Sequence, residues 1–174
     1  MKKIALNGIL ISLALVLSFT ERLIPLNLLV PLPGVKLGLA NIVTMFALFY
    51  MGVPSAITIT VLRCVLASFL FGGMSSLFYS LSGAFLALVT MMILKFGYMK
   101  IFSLVGISMG GAAAHNIGQI LMASLFMKNT AVFAYAPVFL LAGLVTGLLT
   151  SVVSVNLFSV FEKTKGINVI NLGK

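Results

Sequence analysis

The sequence has few of the side chains that carry out chemistry in enzymes. Its 174 residues include two acids, one histidine, one cysteine and no tryptophan, and only 7% of residues are charged. A lone cysteine cannot form an intrachain disulfide, and so few acids and histidines cannot supply paired catalytic carboxylates or a metal cluster. P-loops, nucleophile elbows and helical histidine pairs for zinc are missing as well. We therefore expect a protein that is not an enzyme and holds neither a metal nor a cofactor.

Apolar residues are abundant instead, at 61% of the chain, with a formal net charge of +9. Crossing a bilayer takes roughly 20 apolar residues per helix, so the chain has the length for about six spans. The basic residues stand singly around the apolar runs, which is typical of membrane orientation and not of a nucleic-acid groove. The composition predicts a single all-α integral membrane domain over residues 1–174, folded as a bundle of six transmembrane helices.

Glycine, proline and lysine divide the apolar runs into six segments. The predicted helices cover residues 4–20, 36–52, 54–71, 75–95, 101–127 and 133–160. The connection over residues 20–35 differs from the others because it holds three of the five prolines and is rich in leucine. It is interpreted either as a re-entrant, lid-like loop folded back on the outer face of the bundle or as a plain interfacial linker.

The distribution of basic residues predicts that both termini are cytoplasmic. With the N-terminus inside, seven basic residues fall on the cytoplasmic side and three fall outside, which agrees with the positive-inside rule. The inner seven are Lys2, Lys3, Lys95, Lys100, Lys163, Lys165 and Lys174, and the outer three are Arg22, Lys36 and Lys128.

Arg63 is counted with neither side because it falls near the middle of predicted helix 3. A central arginine costs roughly 2.5–3.5 kcal/mol even on the lenient insertion scale, and its guanidinium offers five donors suited to carboxylate or phosphate. Two interpretations are open. Arg63 binds a ligand or shapes its site, or it links helices of the bundle by hydrogen bonds to helix carbonyls or to Asn41.

Predicted helix 5 concentrates polar side chains in a small-residue background. Its sequence places His115, Asn116 and Gln119 within five residues, and its glycines and alanines recur every fourth position. Small ladders allow helices to approach closely in lipid, and polar side chains there need partners. The three polar residues are interpreted as one wall of a site, with interhelical hydrogen bonds or a proton relay as alternatives.

Further polar residues share the outer half of the bundle on this topology, because predicted helices 2, 4 and 6 begin outside. The polar set contains cations but no carboxylate, which favours an anionic or polar-headed organic ligand over a metal cation. The predicted substrate-binding residues are Arg63, His115, Asn116, Gln119, Asn41, Lys36, Ser76 and Tyr79. On predicted helix 1, Ala5, Gly8 and Ser12 share a stripe that packs internally or presents a flat face to a partner membrane subunit.

Two strings carry a resemblance to a known family: Lys36-Leu-Gly-Leu-Ala-Asn41 and Ala114-His-Asn-Ile-Gly-Gln119. Together with the Arg63 helix and the Phe71–Gly83 stretch, they resemble the Gx transporter family, which is also called heptaprenyl diphosphate synthase component I. The overall plan is similar to the substrate-binding S components of energy-coupling factor transporters.

The resemblance implies a bacterial cell-membrane protein that takes up a small, vitamin-like or quinone-precursor-like solute. S components bind their solute from outside and dock, through helix 1, a transmembrane coupling subunit driven by ATPases. Ala5, Gly8 and Ser12 would match that docking face. The alternative is a non-catalytic accessory protein in polyprenyl diphosphate or quinone synthesis or membrane electron transfer. Two acids cannot form the aspartate-rich Mg²⁺–diphosphate site of a prenyl-transferring enzyme.

Overall fold

The computed structural model describes residues 2–23 and 36–165, and its regular structure is helical. The helices are α1 (Lys2–Arg22), α2 (Asn41–Tyr50), α3 (Val53–Ala67), α4 (Met74–Phe96), α5 (Leu104–Met127) and α6 (Ala136–Lys165). A π-helical turn, Ser68–Gly72, extends α3, and a 3-10 helix, Thr130–Tyr135, precedes α6. Over the described residues, extended pairing is limited to an isolated bridge between Tyr98 and Phe102. The predicted all-α fold is confirmed.

The start predicted for helix 2 is wrong. The prediction started it at residue 36, whereas α2 starts at Asn41 and has 10 residues. Gly38 has a φ of +89°, a left-handed conformation that cannot continue into a right-handed helix, so residues 36–40 form an irregular crossing segment. The proposed lid falls largely on residues 24–35, which lie outside the described residues.

Four helical stretches are long and apolar enough to cross a membrane: Lys3–Arg22, Val53–Gly72, Met74–Phe96 and Thr130–Val160. With 10 residues, α2 covers only about 15 Å and is too short to cross alone. Large apolar side chains are exposed along the bundle surface, for example Phe69, Phe85 and Leu125. This surface suits contact with lipid, while a count of six spans and the side on which the termini lie stay predictions.

The core is built around α2, whose first eight residues are all buried. Beside it, α5 packs between α4 and α6 at glycines. A Cβ added to Gly118 would lie 2.7 Å from the Ser82 backbone oxygen, and one added to Gly147 of α6 would lie 2.9 Å from Met109 Cα. The small ladders therefore do allow close helix contact, as expected in lipid.

Candidate binding site

Arg63 is buried in α3 and bound to α2. Only 5% of its surface is exposed, and its Nη2 donates a hydrogen bond to Asn41 Oδ1 over 2.8 Å. Asn41 is the first residue of α2, so the bond links the start of that short helix to the middle of α3. Among the described residues, Arg63 Nε and Asn41 Nδ2 are buried and meet no hydrogen-bond partner. The predicted hydrogen bond between Arg63 and Asn41 is present, and the two donors beside it can each meet a further acceptor.

The crossing segment lies over this pair and connects three further helices. Lys36 Nζ donates to Ser80 Oγ of α4 over 2.8 Å, and the Leu37 backbone oxygen accepts from Thr146 Oγ1 of α6 over 3.4 Å. The backbone nitrogen of Leu39 donates to a carboxylate oxygen of Glu21 in α1. Irregular backbone at membrane depth is tolerated where protein groups satisfy it, and these contacts do so here.

His115 and Gln119 of α5 contact the crossing segment as well. In the amide orientation that satisfies both of its ends, Gln119 Oε1 accepts from His115 Nε2 over 3.0 Å and from the Lys36 backbone nitrogen over 3.2 Å. Gln119 Nε2 then donates to the Lys36 backbone oxygen over 3.1 Å. The His115 ring also interacts with the Gly83 backbone of α4. The ring packs tightly on the crossing segment, since a Cβ added to Gly38 would lie 3.2 Å from His115 Cδ2.

Glu21 lies among these buried polar groups, and the expectation that the site contains no carboxylate is wrong. The prediction ended helix 1 at residue 20, but α1 continues to Arg22 and carries Glu21 inward, with only 3% of the residue exposed. Arg63 and Lys36 both act electrostatically on this carboxylate.

A signal for Glu21 was present in the spacing of α1. Leu10, Ala14, Ser18 and Glu21 are all buried, and they follow one another at intervals of three or four residues. That spacing defines one face of a helix, so Glu21 continues the stripe that α1 turns towards its neighbours.

Lys36 lies in the crossing segment, outside the helices, and its side chain extends towards these buried polar groups. Burial lowers the pKa of its ammonium below the ordinary lysine value, and the nearby Glu21 carboxylate opposes that change. Desolvation disfavours a charged group and an opposite charge favours it. The lysine is therefore held among buried groups by its hydrogen bond to Ser80 and by the carboxylate.

Three other predicted site residues form no hydrogen bond with the atoms just described, within the part of the chain that the structure describes. Ser76 is buried in the first turn of α4 with its hydroxyl unpartnered, and a Cβ added to Gly72 would lie 2.8 Å from it. Tyr79 belongs to an apolar cluster with Phe139. Asn116 Nδ2 donates to the Phe139 backbone oxygen, so Asn116 ties α5 to α6.

The arrangement joins side chains from four helices and the crossing segment. Its members are Glu21, Lys36, Asn41, Arg63, His115 and Gln119, and we call them the polar cluster. Within the two described ranges of the chain, no three histidine, cysteine, aspartate or glutamate side chains gather as a metal would require. The cluster contains hydrogen-bond donors, a guanidinium and the Glu21 carboxyl group.

A comparison with protein families decides where this chain belongs. The model of the family described as heptaprenyl diphosphate synthase component I matches residues 10–157. The chain belongs to that family. All six members of the polar cluster fall inside the matched range. Searches of the curated proteins and of the solved structures returned no match.

In this member of the heptaprenyl diphosphate synthase component I family, the small stripe of α1 faces outward. Ala5, Gly8 and Ser12 are exposed, and a Cβ added to Gly8 would meet nothing within 4 Å. The Ser12 hydroxyl is already satisfied, because it donates to the Gly8 backbone oxygen over 3.0 Å. Of the two interpretations, internal packing is not what the described residues adopt. The stripe is free to meet another surface.

An apolar groove opens between α1, α2 and α6. Its volume is about 620 Å³, within the roughly 300–1,000 Å³ of small-molecule pockets. The residues that line it are Leu6, Leu10, Leu13, Ile42, Val43, Phe46, Val153, Asn156, Leu157 and Val160. Asn156 is the polar residue among them, so the groove suits a hydrocarbon chain and not a charged group.

Proposed function

We propose that this protein is a membrane-embedded subunit that binds a small organic anion for uptake into the cell. The proposal places it in a bacterial cell membrane, with six spans and both termini in the cytoplasm. The observation that carries it is the Arg63–Asn41 pair, in which two buried donors find no partner among residues 2–23 and 36–165. An unsatisfied buried donor costs roughly 1–3 kcal/mol, so a ligand carboxylate or phosphate oxygen that meets both would gain what the empty site lacks.

The chemistry of the surrounding residues supports a ligand with a polar head. Arg63 supplies a guanidinium suited to two-oxygen acceptors, and Lys36 adds a second cation beside it. Ligand entry requires the crossing segment to move, because its backbone lies against His115 and Gln119.

Uptake further requires a source of energy, which we assign to a partner. The outward stripe of α1 at Ala5, Gly8 and Ser12 suits close packing with another membrane helix. By similarity to S components, we propose a transmembrane coupling subunit driven by ATPases as that partner.

Native mass spectrometry of the purified protein tests the binding function. We expect a co-purified small anion in the wild type, bound about 10- to 100-fold more weakly after Arg63→Ala, since hydrogen bonds to charged groups are worth about 1.5–3 kcal/mol. Arg63→Lys is the matched control that keeps the charge and loses the planar fork, so it should retain part of the binding. If Arg63→Ala and His115→Ala both keep the wild-type amount of ligand, the site is elsewhere.

A second function is favoured by the apolar groove and by the family description. A groove for a hydrocarbon chain, in a family described as component I of a heptaprenyl diphosphate synthase, suits a non-catalytic membrane partner of a polyprenyl-forming enzyme. Purification from the native membrane separates the two functions. Recovery of a soluble prenyl synthase favours the accessory role, and recovery of an ATPase-coupled membrane subunit favours uptake.

A further inference from the structure

We infer that Glu21 is the internal counter-ion of the polar cluster and restricts its ligand to a single negative charge. The inference rests on the proposed function, because it concerns the anion that Arg63 would bind. Glu21 would then determine the specificity of the site, which would accept a monocarboxylate and reject a dicarboxylate or a diphosphate.

Glu21 is fixed in the cluster by geometry. It is buried at the end of α1, and a carboxylate oxygen accepts from the backbone nitrogen of Leu39. Leu39 stands two residues before Asn41, which accepts from Arg63, and three residues after Lys36. The carboxylate is therefore held beside the same short stretch of chain that carries Lys36 and the Arg63 partner Asn41.

The charges in the cluster then nearly cancel. Counted by formal charge, Lys36 and Arg63 contribute two positive charges and Glu21 contributes one negative charge, which leaves +1 with His115 neutral. A ligand with one negative charge brings that sum to zero. A second negative charge on the ligand would be buried without a counter-ion, and buried charges without partners are strongly disfavoured.

The cluster's free hydrogen-bonding atoms agree with a compact anionic head. Arg63 Nε and Asn41 Nδ2 are two unpartnered donors beside a single hydrogen bond, and each is buried. Two donors match the two oxygens of one carboxylate. A diphosphate presents many more acceptor oxygens than the unpartnered donors found here, and the described residues offer no metal-binding group to share them.

The competing explanation for Glu21 is purely structural. An acid that accepts a backbone N–H of the crossing segment would hold that segment in place without any influence on the ligand. Glu21→Gln separates the two roles, because glutamine keeps a side-chain oxygen to accept from Leu39 and removes only the negative charge.

The test uses the full-length protein in detergent and measures its thermal stabilisation by butyrate and by succinate at equal ionic strength and neutral pH. These probes have the same number of carbons and carry one or two carboxylates. We expect wild-type protein to bind butyrate about tenfold more tightly than succinate, and Glu21→Gln to lose or reverse that preference. Inorganic diphosphate should follow succinate.

Glu162→Gln is the matched control, since it removes the other acid of the chain. Residue 162 lies 16 positions beyond Thr146 in α6, about 24 Å along the helix, so the preference for butyrate should remain. An unchanged preference in Glu21→Gln would leave Glu21 a structural cap only.

The outcomes also separate this inference from the proposed function. If Arg63→Ala abolishes stabilisation by butyrate while Glu21→Gln behaves as wild type, the anion site stands and the counter-ion role is refuted. If neither probe stabilises the wild type, both fail. Should Glu21→Gln not fold, the wild type still decides, because tighter binding of succinate than of butyrate contradicts the inference.

Discussion

Replacing Gly118 by alanine should destabilise the bundle, although the change adds only one methyl group. The new Cβ would lie 2.7 Å from the Ser82 backbone oxygen and 2.9 Å from Gly83 Cα, so α4 and α5 would have to separate. Overpacking of this kind costs about 1–3 kcal/mol. Gly8→Ala is the matched control, because its Cβ would meet nothing within 4 Å.

Both substitutions gain the same helix propensity, about 1 kcal/mol for glycine to alanine, so the comparison isolates the contact. We therefore expect the free energy of unfolding of Gly118→Ala to lie about 1–3 kcal/mol below that of Gly8→Ala. Unfolding by sodium dodecyl sulfate in mixed micelles, followed by circular dichroism, measures that difference. Equal stability of the two variants would show that α4 and α5 are not in backbone contact at this position.

Two further substitutions probe the site and its frame. Gly38→Ala should lower stability by about 1–3 kcal/mol and weaken butyrate binding, because the residue has a φ of +89° and its Cβ would lie 2.8 Å from Asn41 Nδ2. Thermal unfolding with and without butyrate measures the stability and the binding. Butyrate binding as tight as in the wild type would contradict this prediction. Asn116→Ala should cost about 1 kcal/mol through the lost bond to the Phe139 backbone oxygen while leaving anion binding unchanged. Weaker anion binding in Asn116→Ala, measured by the same titration, would place Asn116 in the site after all.

The helical architecture was largely accessible from the sequence because the apolar runs are separated by glycine, proline or lysine at the points where helices end. Gly73, with a φ of +103°, marks one such interruption between α3 and α4. The start of α2 was not accessible in the same way. Residues 36–40 are mostly apolar and look helical, and the sequence does not reveal that Gly38 has a positive φ and lies against His115.

The candidate site divides along the same line. Arg63 and Asn41 stood out because charged and amide side chains are costly in lipid, and the bond between them was among the interpretations considered. Glu21 was assigned to a loop because helix 1 was ended one residue before it, and only the buried stripe through Ala14 and Ser18 reveals that it points inward. Asn116 sits beside His115 in sequence, yet successive helical residues point about 100° apart, so it reaches α6 instead.

The chain order of the polar cluster has a consequence for biosynthesis. Asn41, which binds Arg63, and Glu21, which is close enough to act on it, both precede Arg63 in the sequence. When the ribosome delivers α3 to the membrane, the acceptor and the carboxylate have therefore already emerged. The guanidinium can be paired as it inserts, before α5 and its histidine have been made.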